Sequence, residues 1–184
     1  MVAPAAFVEE LAAARIGQTF NQYAEGPRAS LLRERLSRYL EARGNARLLL
    51  VGEAPGYRGA RVSGIPFTSE RQLTGSGPAE ATATVVHRVL AELDLERDVL
   101  LWNVVPTHPG TATTNRRPTR GEIAEGIRFA SALAPGRRVA CVGRVAQAAL
   151  GGLPVRHPAH GGVREFRSRL IEWLDLGELL PGPA

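Results

Sequence analysis

The residues best suited to chemistry in this chain stand where apolar runs end. Glu53 follows Leu48-Leu49-Leu50-Val51-Gly52 and precedes Ala54-Pro55-Gly56, so a carboxylate emerges in a tight loop of glycine and proline. A carboxylate so placed could activate or position a water, oppose a positive charge, or simply bond the loop backbone. Asn103 closes a second run, Val99-Leu100-Leu101-Trp102, with a carboxamide that both donates and accepts hydrogen bonds. His157 follows a third, shorter run and precedes Pro158, which restricts the backbone beside an imidazole, the side-chain type able to give or take a proton near neutrality.

Each run reads as a buried parallel strand emptying into a loop, the place where open α/β sheets bind ligands. Strands are predicted over residues 47–51, 99–105, 138–142 and 153–156. Helical spacing of apolar residues predicts helices over 4–16, over 30–42 with Ser30 as N-cap, over 82–95, over 119–133 with Thr119 and Glu122 at capping-box spacing, over 143–150 and over 163–174. The glycine-punctuated connection 52–77 and the polar loop 106–118 are long, and long loops in a compact fold are usually functional. The alternation predicts an α/β fold, a parallel sheet covered on both faces. Right-handed crossovers then bring the strand carboxyl ends, and with them Glu53, Asn103 and His157, to one edge. The end, 181–184, is expected to fray.

At 184 residues the chain has the size of one domain, 1–184, and 44% hydrophobic with 22% charged residues is ordinary for a soluble globular protein. A net charge of +5 points only weakly to a polyanionic partner, since a soluble arginine-rich protein would look the same. One cysteine, Cys141, excludes a disulfide framework within the chain and points to a reducing compartment. Glu9 and Glu10 interrupt what would be the apolar core of a secretory leader, and no run approaches a membrane span. A cytoplasmic monomer without a membrane partner is expected.

Four strings, Gly52-Glu53-Ala54-Pro55-Gly56, Gly64-Ile65-Pro66-Phe67, Asn103-Val104-Val105 with Asn115-Arg116-Arg117-Pro118-Thr119 and Glu122-Ile123 downstream, and His157-Pro158-Ala159, stand in order at or beyond predicted strand ends. Together they resemble the uracil-DNA glycosylase superfamily, closest to the branch that carries a four-iron four-sulfur cluster. The resemblance implies a three-layer α/β/α fold with a four-stranded parallel sheet and a base pocket at the strand carboxyl ends. It also implies a monofunctional enzyme of base excision repair that removes uracil from DNA and leaves an abasic site. Two departures qualify it. Where that branch has cluster cysteines, this chain has Thr107 and Gly126, so no iron, other metal or cofactor is expected and packing must shape the loop. Where some members have a water-activating Asp or Asn, it has Ala54, whose methyl can do neither job; backbone carbonyls of the loop could hold the water instead.

Cleaving the bond between base and deoxyribose makes an oxocarbenium-like sugar and an anionic base. The resemblance gives Phe67 the stacking face, Asn103 the reading of the base edge and His157 the hydrogen bond that stabilises the departing anion. Glu53 joins His157 as a catalytic candidate, and Gly52 and Ala54 join the substrate-binding set. Tyr57 could wall off the pyrimidine methyl position. Candidate phosphate donors are Arg58, Arg61, Ser63, Thr68, Ser69 and Arg71 in the first loop; Gly161-Gly162-Val163-Arg164 could wedge into the duplex, with Arg164 in the emptied space.

Other readings stay open: a glycosylase for another damaged base such as hypoxanthine or hydroxymethyluracil, or a catalytically silent DNA-binding relative, suggested by Ala54. A nucleotide-binding α/β enzyme is disfavoured. Gly59-Ala60-Arg61-Val62-Ser63-Gly64 lacks the Gly-Lys-Ser/Thr ending of a phosphate loop, and no Gly-x-Gly-x-x-Gly follows the first strand.

Overall fold

The computed structural model describes residues 3–159 and 161–178, so the expected fraying of 181–184 lies outside them. Helices α1 (Pro4–Ala13) and α2 (Ala29–Ala42) precede strand β1 (Leu48–Gly52). The connection onward contains two short helices, α3 (Ala60–Ser63) and α4 (Glu70–Thr74), then α5 (Ala81–Glu92) and β2 (Val99–Asn103). The order continues through α6 (Arg120–Leu133), β3 (Arg138–Val142), α7 (Arg144–Leu150), β4 (Leu153–Val155) and α8 (Val163–Glu178). The strands form a four-stranded, all-parallel sheet in the order β2-β1-β3-β4.

Strand side chains alternate between two cores, which is why the runs are apolar throughout. Leu49, Val51, Leu100, Trp102 and Cys141 face Phe7, Leu11, Leu36 and Phe129; Leu48, Leu50, Val99, Leu101 and Val142 face Val86, Val89, Phe166, Leu170 and Trp173. The expected three layers follow. Phe7 meets Trp102 and Phe129 edge-on, with centroids 5.4 and 5.6 Å apart, locking α1 and α6 onto β2. Burying such a ring is worth about 2–3 kcal/mol.

Several helix boundaries differ from the sequence expectation: α5 ends at Glu92 rather than residue 95, α8 runs on to Glu178 rather than 174, and two further differences have a local cause. Ser30 lies inside the first turn of α2; Arg28 holds the N-cap position without a side-chain cap, and the start of the helix rests on buried Ala29 and Leu32. The first helix ends at Ala13 rather than residue 16, because the Asn21 carboxamide takes the carbonyls of Leu11 at 2.9 Å and Ala14 at 3.0 Å. The cap of α6 matches its spacing: Thr119 N–H donates to Glu122 Oε2 at 2.8 Å and Glu122 N–H to Thr119 Oγ1 at 3.2 Å.

Register places the site. Gly52 of β1 lies opposite Asn103 of β2, and Val142 of β3 opposite Val155 of β4. The sheet grows from β1 toward β2 on one side and β3 on the other, so a crevice opens above their carboxyl ends.

Candidate active site

That crevice is a cavity of about 370 Å³. Gly52, Glu53, Ala54, Phe67, Asn103 and His157, scattered over more than a hundred residues of sequence, all line it. Glu80, Thr82, Asn115, Arg116 and Gly143 line it as well.

Gly52 sets the geometry by having no side chain. A Cβ there would collide with the Phe67 ring, 2.9 Å from Cε2, and come 3.1 Å from Asn103 Oδ1. The aromatic ring and the carboxamide therefore border one space, which any larger residue at 52 would close. Asn103 is 3% exposed, and none of the hydrogen bonds among the described residues engages its carboxamide. Buried carboxamides normally find partners, so one left open toward a cavity is a vacancy for a ligand's polar edge.

Phe67 is held in a left-handed conformation, φ +52°, which costs a non-glycine residue about 1–3 kcal/mol unless its surroundings enforce it. The neighbouring hydroxyls do the enforcing. Ser63 Oγ donates to Thr68 O at 2.6 Å, Thr68 Oγ1 to Pro66 O at 3.1 Å, and the Ser69 N–H and Oγ–H both to Gln72 Oε1 at 2.8 Å. Ser63 and Ser69 are fully buried. This corrects their assignment as phosphate donors: their hydroxyls are spent on holding the loop that presents Phe67. Tyr23 Oη–H donates to Gly64 O from outside at 2.9 Å, and Glu70, paired with Arg28 at 2.7 Å and Arg35 at 2.8 Å, ties α4 to α2.

His157 follows β4, and its Nδ1 accepts the Ala159 N–H at 3.2 Å. A neutral ring that accepts at Nδ1 carries its proton on Nε2. Gly162 lets α8 close on this turn, because a Cβ there would strike the His157 carbonyl. Glu53 is half-buried. Burial pushes its carboxyl above the ordinary value while the charge of Arg117 pulls it back. Glu80 is pushed up by burial with no opposing cation.

The loop after β2 closes the cavity from the other side. Tyr57 N–H donates to Asn115 Oδ1 at 2.9 Å, and the buried His108 ring has its nitrogens 2.8 Å from Pro55 O and 2.8 Å from Thr111 O. Arg116 is fixed on Glu122 by two bonds of 2.7 and 2.6 Å. The Tyr57 ring is not among the groups lining the cavity; the Arg58 guanidinium lies 5.5 Å over it. Of the basic candidates, Arg58 and Arg164 are exposed, whereas Arg61 lies 4.5 Å over the Phe20 ring.

Glu80, Asn115 and Arg116 were not assigned roles from sequence. Asn115 and Arg116 sit in a string that sequence singles out, so a signal existed. Glu80 had none beyond an acidic residue before a helix, which reads as ordinary charge at a helix start.

The cluster positions do not fit a metal. A Cβ at Gly126 would come 2.7 Å from Val104 O and 3.0 Å from Val105 Cα, and the Thr107 hydroxyl is buried 2.5 Å from Thr19 Oγ1. One cysteine cannot replace the thiolate set of an iron–sulfur cluster, and among the described residues no group of three or more His, Cys, Asp or Glu could hold a metal ion. No helix among them is long and apolar enough to cross a membrane.

The model of the uracil DNA glycosylase superfamily matches residues 39–175. No curated protein matches the chain in sequence. Among solved structures, the chain is similar to the crystal structure of wild-type Pedobacter heparinus SMUG2, with a TM-score of 0.67 and 14% identity over 97% of this chain and 98% of that one. At that identity the similarity is one of fold.

Proposed function

This chain belongs to the uracil DNA glycosylase superfamily, and we propose that it hydrolyses the N-glycosidic bond of uracil in DNA, leaving an abasic site. The observation that carries this reading is the buried Asn103 carboxamide, open only to the cavity and bordering the same space as the Phe67 ring. A flipped pyrimidine stacked on that ring would present its Watson–Crick edge to a group that donates and accepts. As the bond from C1′ to the base breaks, its electron pair leaves with the base. His157 Nε2–H is suited to donate to the base carbonyl oxygen on which that charge gathers. Glu53, raised by burial but drawn back by the charge of Arg117, opposes in its ionised form the positive charge developing on the sugar. Arg58 and Arg164 supply phosphate contacts.

The test is to identify the bases released from oligonucleotides carrying uracil, hypoxanthine, hydroxymethyluracil, thymine or cytosine, single- and double-stranded, with alkali scission marking abasic sites. Uracil released, with thymine and cytosine retained, is the expected result. DNA binding with no base released from any substrate would replace this reading with that of a silent relative.

A further inference from the structure

The cavity contains a second carboxyl group, and the Gly-Glu-Ala-Pro-Gly loop is shaped to receive it. Glu80 comes from the start of α5, yet its carboxyl group rests on the backbone of Gly56 and Gly59. A Cβ on either glycine would land on its oxygens, with Glu80 Cδ at 3.0 Å from the first and 2.7 Å from the second. A side chain at either position would evict it. Glu80 also occupies the N-cap position of α5 without capping it: no side-chain bond to the helix N–H groups is made. A carboxylate there would ordinarily gain by turning back onto those donors. This one lines the cavity instead, and none of the hydrogen bonds or ion pairs among the described residues engages it.

Resting on the glycosylase reading, we propose that Glu80 is the general base that takes the proton from the attacking water, the task that the methyl of Ala54 cannot perform. The water oxygen bonds to C1′ as its proton passes to a Glu80 oxygen. The bond from C1′ to the base breaks, and its electron pair leaves on the base. Glu80 returns the proton to solvent once the products depart.

The two cavity carboxyls differ in a way that divides the work. The other ionisable groups lining the cavity are Glu53 from the loop after β1, Arg116 from the loop before α6 and His157 from the loop after β4. Arg116 is committed to Glu122, and Arg117 acts on Glu53, so no cation holds Glu80 in its ionised form. Burial raises both carboxyls, but only Glu53 has a cation drawing it back, so Glu80 is the one placed to accept a proton near the working pH.

Single-turnover excision between about pH 4 and pH 9, on whichever base the wild type removes, tests this with Glu80→Gln and Glu53→Gln, alongside binding to product DNA and Tm. The wild-type rate is expected to fall along a one-proton acid limb. Glu80→Gln should lower the plateau by about 100-fold or more and abolish the limb, with product-DNA affinity within about threefold. Formate should restore part of the rate of Glu80→Ala. A Glu80→Gln rate within about threefold of wild type with the limb intact, a limb lost only in Glu53→Gln, or no formate rescue beyond that given to Glu53→Ala overturns the inference. A wild type that releases no base overturns the glycosylase reading and this inference with it.

Discussion

Two places in this molecule treat a glutamate in opposite ways. Glu122, at the start of α6, is 1% exposed and fully met: Arg116 donates twice, Thr119 N–H donates at 2.8 Å and Gln18 N–H at 3.1 Å. The Arg116 bonds above all pull its carboxyl down to about 2. The carboxyl groups of Glu53 and Glu80, lining the cavity, accept no hydrogen bond among the described residues and are pushed upward by burial. The same fold can satisfy a buried carboxylate when only structure is at stake. Polar groups left unmet in the cavity, the Asn103 carboxamide among them, are therefore held for something that is not part of the chain.

This contrast predicts opposite consequences on the two sides. The largest effect belongs to the cavity: His157→Ala should slow excision by about 10²–10³-fold while costing about 1 kcal/mol of stability, less than Glu122→Gln costs, read by single-turnover kinetics and thermal melting. Glu122→Gln should chiefly do the reverse, removing about 2 kcal/mol and lowering Tm by several degrees, with a far smaller loss of rate per folded molecule than His157→Ala gives, since only the anchoring of Arg116 at the cavity edge is loosened. The pH dependence has a definite sign. Because the folded value lies below the unfolded one, the contribution of Glu122 is in force above about pH 5 and fades as pH falls toward about 2. Acid titration of stability should accordingly be flatter in Glu122→Gln.

A smaller effect sharpens the comparison. Glu80 is raised in the folded state, so its ionised form costs stability that grows as pH rises through the folded value. Glu80→Gln should therefore raise Tm at neutral pH, where Glu122→Gln lowers it. The smallest effect lies outside both: Arg58→Ala or Arg164→Ala should each reduce the salt slope of DNA binding by about 1, whereas Ser63→Ala should leave that slope unchanged and lower Tm.

The layout was legible where local pattern decides structure. β3 forms over Arg138–Val142, the bounds expected for it, and Thr119 with Glu122 marks the start of α6. α3 and α4 are too short for a periodic signal, so 52–77 read as loop. Ser30, Ser63 and Ser69 misled for one reason. A serine hydroxyl bonds a helix end, a neighbouring carbonyl or a phosphate equally well, and only burial tells which. The motif-borne lining residues Glu53, Phe67, Asn103 and His157 could be placed at one edge because strand ends converge there. Glu80 could not. It reaches the cavity through a tertiary approach to Gly56 and Gly59 that no spacing along the chain records.

The most direct test compares wild type with Asn103→Ala in single-turnover release of uracil from a defined oligonucleotide, with melting recorded on both proteins. Uracil released by the wild type, slowed by about 100-fold or more in a variant that melts normally, is the predicted result. Equal rates in the two proteins would contradict the claim that this unpartnered carboxamide waits for the base.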